Sequence, residues 1–283
     1  AHRQAARRIQ SLPTKAANAG VLATLGWLTI ESEIAIKKLC YCGSLLRLPA
    51  TSRERQLFVS HLYLYRCGAN RLCHTITGTI IKYLCTYQLM DTVMEILDLG
   101  RVFPSKLIWK SEVKRKVAQV DNQEWKCAVM NSTKLAIFRE VVYEVKQHPW
   151  WVFARQYPMF LKCANTMMKL IFGEHCLNVN SGRMAGIPRN MRLCNMCQDR
   201  QVEDLEHFIL WCDKYTHIRE NLISEINEIL PSFSGLSTKE QLCIICGGFV
   251  ENLENSECQK IMEISCVKIS YMYKVRHSCE MCQ

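Results

Sequence analysis

The sequence predicts an all-α fold: a helical body followed by a small zinc-binding module and C-terminal helices. Three observations predict it. Apolar residues recur at helical spacing through most of the 283 residues, with capping residues before the runs and Pro or Gly after them. The 49% hydrophobic content is enough to bury one or two cores. Between 194 and 212, four cysteine and histidine residues stand at a spacing suited to a metal ion.

The opening twenty residues are basic, Ala-rich and free of acids, and a chain starting on Ala1 reads as a fragment or a processed product. Thr29 suits an N-cap, with Glu31 and Glu33 in the first turn, and Ile36, Leu39, Cys40, Gly43 and Leu46 mark one helix face up to a stop at Leu48-Pro49. Thr51-Ser52-Arg53-Glu54 has the order of a capping box and opens a second helix through Leu57, Phe58, Leu62 and Tyr65 to Gly68. A third helix is expected over 72–87 and a shorter one up to Gly100, which together make a first helical segment of residues 1–100.

A second, basic segment is expected over 101–173. Phe103-Pro104-Ser105 resets the chain, and the helix after it carries Lys106, Lys110 and Lys114 four residues apart, on one face, with Leu107, Trp109, Val113 and Val117 apolar between them. Such a face can track phosphates. Asp121-Asn122-Gln123-Glu124 is expected to restart a helix, Ser132 or Thr133 another, and His148-Pro149-Trp150-Trp151 to end it. The paired tryptophans are expected to pack in a core or interface, with base stacking the alternative. Pro158 suits the first turn of a helix over 159–171 closed by Gly173, with Leu161, Met167, Met168, Leu170 and Ile171 as core. Residues 174–193, with Asn178, Asn180, Ser181, Gly182, Gly186 and Pro188, read as a linker whose Arg183, Arg189 and Arg192 are further candidates for phosphate contacts.

The metal candidates are Cys194, Cys197, His207 and Cys212, a C-x2-C-x9-H-x4-C spacing. Two thiolates separated by two residues can sit on one tight turn and face a single ion. His207 and Cys212, five apart, converge on it only if a short helix brings them round. Four such ligands close a tetrahedral zinc site with no position left for water or substrate, so the expected Zn2+ is structural. The module spans 194–219, and a segment of residues 185–225 is expected to bind one zinc.

Beyond it, residues 220–283 read as a helical tail, with a loop over 231–238. Cys243-x2-Cys246 and Cys279-x2-Cys282, with Cys258, Cys266 or His277, form a less favoured alternative ligand set. Apolar Ile244 and Ile245 point instead to burial of the first pair in a helix, and the last pair lies in a terminus expected to fray.

Charge divides the chain at the same place. Residues 1–192 hold 28 Lys+Arg and 12 Asp+Glu, net +16, and 193–283 hold 8 and 14, net −6, summing to +10. A basic body of this excess attracts a phosphate backbone through counterion release, and an acidic tail does not. Seventeen cysteines, an odd number without paired rhythm, fit a reducing compartment. The longest apolar-leaning run, 20–30, is shorter than the roughly 20 residues of a membrane span. A soluble nuclear or cytoplasmic protein is expected.

The zinc segment resembles the module near the C-terminus of many non-LTR (LINE-type) retrotransposon reverse transcriptases: Cys-x2-Cys, an acidic stretch, Glu-His with apolar residues after it, Cys, and a later Arg. Glu206-His207-Phe208-Ile209-Leu210, Cys212 and Arg219 match it. Upstream, Ala23-Thr24-Leu25-Gly26-Trp27-Leu28, Ile34 and the run Lys37-Lys38-Leu39 to Leu45-Leu46-Arg47-Leu48 resemble the segment that follows the polymerase palm in the same family. The resemblance implies that the chain lies downstream of a catalytic palm. It also implies a role in gripping template RNA or target DNA while the complete element copies its RNA into a nicked chromosomal site. The palm's paired metal-binding aspartates have no counterpart here, since no Asp-Asp occurs in the sequence, and no catalytic or small-molecule site is expected of this stretch alone. A structural or protein-interaction module from a decayed or repurposed element is the alternative.

Overall fold

The computed structural model describes residues 1–68, 75–247 and 253–280. Helices dominate the described residues. Among the described residues no sheet forms, and the only strand-like pairings are two isolated bridges, Leu25 with Gln147 and Leu193 with Val202. Two compact units are present, one of Leu28–Trp125 and one of Ala1–Trp27 with Lys126–Gln283. These divisions fall at neither 100 nor 173, the limits expected from composition.

In the larger unit, α1 (His2–Ile9) and α2 (Asn18–Ala23) are tied by Gln10, whose amide donates to the Val21 carbonyl at 2.6 Å and accepts from Thr24 Oγ1 at 2.6 Å. Thr24 and Leu25 then meet the chain near 147: His148 N donates to Thr24 O at 2.7 Å. Gly26 is required at this approach, because its φ is +67° and an added Cβ would lie 2.7 Å from Gln147 N.

The smaller unit begins with α3 (Ile30–Leu46), capped as expected by Thr29, which accepts from Ser32 N at 3.1 Å. α4 (Arg53–Arg66) is capped by Ser52, one residue after the expected Thr51, and ends at Gly68. α5 (Ile76–Thr86) and α6 (Met90–Asp98) follow; the first residues expected for the third helix lie outside the described ones. α7 (Lys106–Met130) is one helix of 25 residues with no restart at Asp121. Asp121 is half-buried within this helix, where burial raises its carboxyl against the effect of the Ser32 hydroxyl on α3. Leu39, Leu46, Leu62, Ile81, Leu84, Val113 and Val117 fill this unit's core. Trp109 completes it: its Nε1 donates to Leu39 O at 2.7 Å, and the indole lies where a Cβ on Gly43 would stand.

The larger unit resumes with α8 (Ala136–Val141) and α9 (Pro149–Gln156). His148-Pro149 was expected to end a helix and instead begins one. Pro149 occupies the first turn, where its missing N–H costs nothing, and His148 Nδ1 accepts from Trp150 N at 3.3 Å. Trp150 and Trp151 are buried, and Trp150 Nε1 donates to Cys246 O at 2.9 Å, so neither ring is available to stack on bases. α10 (Leu161–Ile171) buries Met167, Met168, Leu170 and Ile171 as expected, with Leu161 exposed. α11 (Asn178–Met184) lies inside the stretch read as a linker; its Asn180 and Gly182 are buried and Leu177 before it is fully so, which makes the segment part of the packed unit.

α12 (Thr216–Ile229), α13 (Thr238–Ile245) and α14 (Asn255–Glu280) complete the chain. α13 carries a capping box between Ser237 and Glu240. α14 packs on α10 and α12 and buries Cys266, Ile269 and Met272 fully, so the tail expected to be helical contains a helix of 26 residues. No disulfide forms among the described residues, and no described helix is long and apolar enough to cross a membrane.

Candidate functional site

Cys194, Cys197, His207 and Cys212 come together, with one ligand atom from each lying within 4.8 Å of all the others. Two local devices bring them there. The first is a short hairpin, in which Cys194 N donates to Gln201 O at 2.8 Å and Glu203 N to Arg192 O at 2.9 Å. Arg200 takes a positive φ of 51° in its turn, and Met196 N donates to Cys194 Sγ at 3.3 Å, so both thiols of the Cys-x2-Cys pair face one side. The second is a π-helical turn over His207–Trp211, in which Cys212 N donates to His207 O at 2.7 Å. Residues five apart on an α-helix point about 140° away from each other. The wider π turn swings Cys212 back under His207, which is the convergence the spacing demanded.

The distances suit a tetrahedral ion. Two sulfurs bound at ~2.3 Å lie about 3.8 Å apart, and a sulfur and an imidazole nitrogen about 3.6 Å. Cys194 and Cys212 Sγ are 3.8 Å apart, and Cys197 Sγ is 3.4 Å from His207 Nε2. The group can therefore hold a metal ion. Its protons are unevenly held: the hydrogen bond from Cys212 pushes the Cys194 thiol down to about 4, against the opposing effect of burial and with help from the Met196 and Cys197 N–H groups. The same bond pushes Cys212 up, and burial raises Cys197.

The surroundings hold the ligands in place. Asp204 Oδ1 accepts from His207 N at 3.0 Å, and Arg219 Nη1 donates to Cys212 O at 2.8 Å, a physical role for the arginine of the motif. His207 Nδ1 is buried without a hydrogen-bond partner. Behind the hairpin, Glu203 is buried against Arg276 of α14, its Oε2 also accepting from Asn178 N at 2.8 Å. Sequence reading missed both residues. Glu203 stood in an acidic stretch with nothing to separate it from its neighbours, and Arg276 in a tail read as helix with no partner indicated.

Among the described residues no other Cys/His/Asp/Glu group gathers around one point. Cys246 is buried and Cys243 lies against Glu140 O at 3.1 Å, while Cys279 and Cys282 have no described side chains.

Of the cationic candidates, Lys106, Lys110 and Lys114 are all exposed on α7, in a row beside the buried Trp109, Val113 and Val117. Arg183, Arg189 and Arg192 belong to the other unit and line one cavity of about 260 Å³. Each is tethered: Arg183 to Asn180 Oδ1 at 2.5 Å, Arg189 to Asp204 Oδ2 at 2.9 Å, and Arg192 to Ile187 O at 2.7 Å and Val179 O at 2.9 Å.

Fold and site together define an all-α chain with a Cys3His group able to hold a metal ion. Comparison with family models, curated proteins and solved structures finds no match to it.

Proposed function

We propose that this chain is the nucleic-acid-binding C-terminal region of a LINE-type reverse transcriptase, gripping template RNA or target DNA, with a structural zinc ion held by Cys194, Cys197, His207 and Cys212. The observation that carries the reading is the closed Cys3His group in the setting the family motif describes: Glu206-His207 opening a turn of buried Phe208, Ile209 and Leu210, and Arg219 on the Cys212 carbonyl. Three thiolates and one imidazole suit Zn2+, and four protein ligands leave it no position for substrate. Bound there, the ion would join the 194–197 hairpin to the 207–212 turn. The chain alone extends no primer, since polymerisation needs the palm's paired aspartates.

The nucleic-acid part rests on the net +16 of residues 1–192 and on the exposed Lys106–Lys110–Lys114 face. Its test is the salt dependence of binding by the full chain. Log affinity should fall with log salt by about 0.9 per phosphate neutralised on duplex DNA and about 0.7 on single strands. Replacing Lys106, Lys110 and Lys114 with Glu should weaken binding to all sequences alike and flatten the slope by roughly two to three units, with circular dichroism unchanged. No binding at low salt would reject the reading in favour of a protein-interaction module.

A further inference from the structure

We propose that the cavity beside the metal group is a binding site for a single phosphate monoester, carried on the end of a nucleic-acid strand. The site's link to strand ends rests on the nucleic-acid reading above; the phosphate chemistry does not. Four cations face the cavity, Lys134, Arg183, Arg189 and Arg192, against the carboxylates of Asp204 and Glu206, with buried Glu174 3.9 Å from the Lys134 ammonium. The balance is a net positive charge of one, which an anion would offset.

The arginines are arranged as a receptor would hold them. Each guanidinium is fixed at one edge by a protein acceptor, Asn180 Oδ1, Asp204 Oδ2, or the Ile187 and Val179 carbonyls. Among the described residues no other bond engages their remaining N–H groups, so ordering three flexible side chains costs little when an anion arrives. Planar guanidinium forks match the tripod of phosphate oxygens, and such charge-assisted bonds are about twice as strong as neutral ones. His175 lines the same cavity. Burial first, and the Arg183 charge second, push that imidazole down to about 4, so at neutral pH the ring adds no charge to the cavity.

Size and lining choose a strand end over a continuous backbone. About 260 Å³ lies just below the ~300 Å³ at which small-molecule sites begin, room for one phosphorylated sugar and not for a run of strand. Ala136 and Ile137 supply an apolar wall for the sugar carbons.

The test uses the full chain and three single-stranded oligonucleotides of one sequence, ending in 5′-phosphate, 3′-phosphate or hydroxyls only, read by fluorescence anisotropy. One phosphorylated end should bind about tenfold or more tighter than the hydroxyl strand. Arg183→Gln with Arg189→Gln should abolish that preference, so that phosphorylated and hydroxyl strands bind the variant alike. Lys134→Gln, on the facing wall, repeats the measurement should the double variant fold poorly. Inorganic phosphate should compete with the preferred end and raise the thermal midpoint of the native chain but not of the variants. Equal binding of all three strands, with no effect of inorganic phosphate, would overturn the proposal and leave the nucleic-acid reading standing. Stabilisation by phosphate that the variants lose, with no strand bound at low salt, would keep the phosphate site and reject the strand as its source.

Discussion

Arg276 and Glu203 form a two-pronged ion pair beneath the metal group, Nε to Oε1 at 2.5 Å and Nη2 to Oε2 at 3.0 Å, with side chains only 3% and 1% exposed. Glu203 sits between the hairpin of Cys194 and Cys197 and the turn of His207, so the pair fastens the metal-binding segment to α14. Removing one partner strands a buried charge, which costs ~3–5 kcal/mol, whereas replacing both with apolar residues is far milder. Arg276→Met should therefore lower the urea-unfolding free energy of the full chain by about that amount. Arg276→Met with Glu203→Met should recover most of it; a double variant as unstable as the single one would show the charges themselves to be needed.

The same pair bears on how far the metal module stands alone. A peptide of residues 185–225 keeps all four ligands but loses Arg276, the Asn178 backbone and the Tyr273 ring near Phe208. It should still take up Zn2+, at least about tenfold more weakly than the full chain, because the ligands must be ordered by binding alone. Chelator competition on the two species measures the ratio, and equal affinities would make the module independent of α14.

Metal identity is read with cobalt. Co2+ added to the full chain should give thiolate charge-transfer and tetrahedral d–d bands, and Cys197→Ser should change both. Removing the metal from a sample held at ~1,000 times its Kd should lower stability by about 4 kcal/mol. Bands that survive replacement of all four ligands would place the ion elsewhere.

His148 makes stability fall in acid. Burial pushes its imidazole from 6.5 down to about 3, and Nε2 has no partner. Between those values the unfolded chain binds the proton and the folded chain does not, so this stabilisation is complete above pH 6.5 and is lost as pH falls toward 3, on the order of 3 kcal/mol by pH 4. His148→Asn keeps an acceptor for Trp150 N and should shrink the difference in unfolding free energy between pH 7 and pH 4; an unchanged difference would count against the buried imidazole.

Gly26→Ala tests the crossing of two distant stretches. A Cβ would meet Gln147 N at 2.7 Å from a backbone at φ +67°, and the expected loss is about 1–3 kcal/mol in a thermal or urea unfolding experiment.

Much of this was legible in the sequence by itself. Helix periodicity and capping chemistry are local, so the all-α class, the Thr29 cap, the Gly68 and Gly173 stops and the Met-rich core of α10 could be read from residues within a few turns of one another. The four metal candidates were legible for the same reason: metal-ligand spacing constrains residue type and separation within some twenty positions. Tertiary structure decided what depends on distant partners. Asp121 is half-buried inside α7, which runs on through it, His148 finds Thr24 and opens a helix instead of closing one, and Leu177 and Asn180 make a packed helix of an apparent linker. Arg276 reaches back 73 residues to Glu203, and three arginines with no common spacing meet at one cavity. Buried polar groups take whichever partner the fold brings near, because leaving them unpaired costs more than any local propensity, and that choice has no period for a sequence to display.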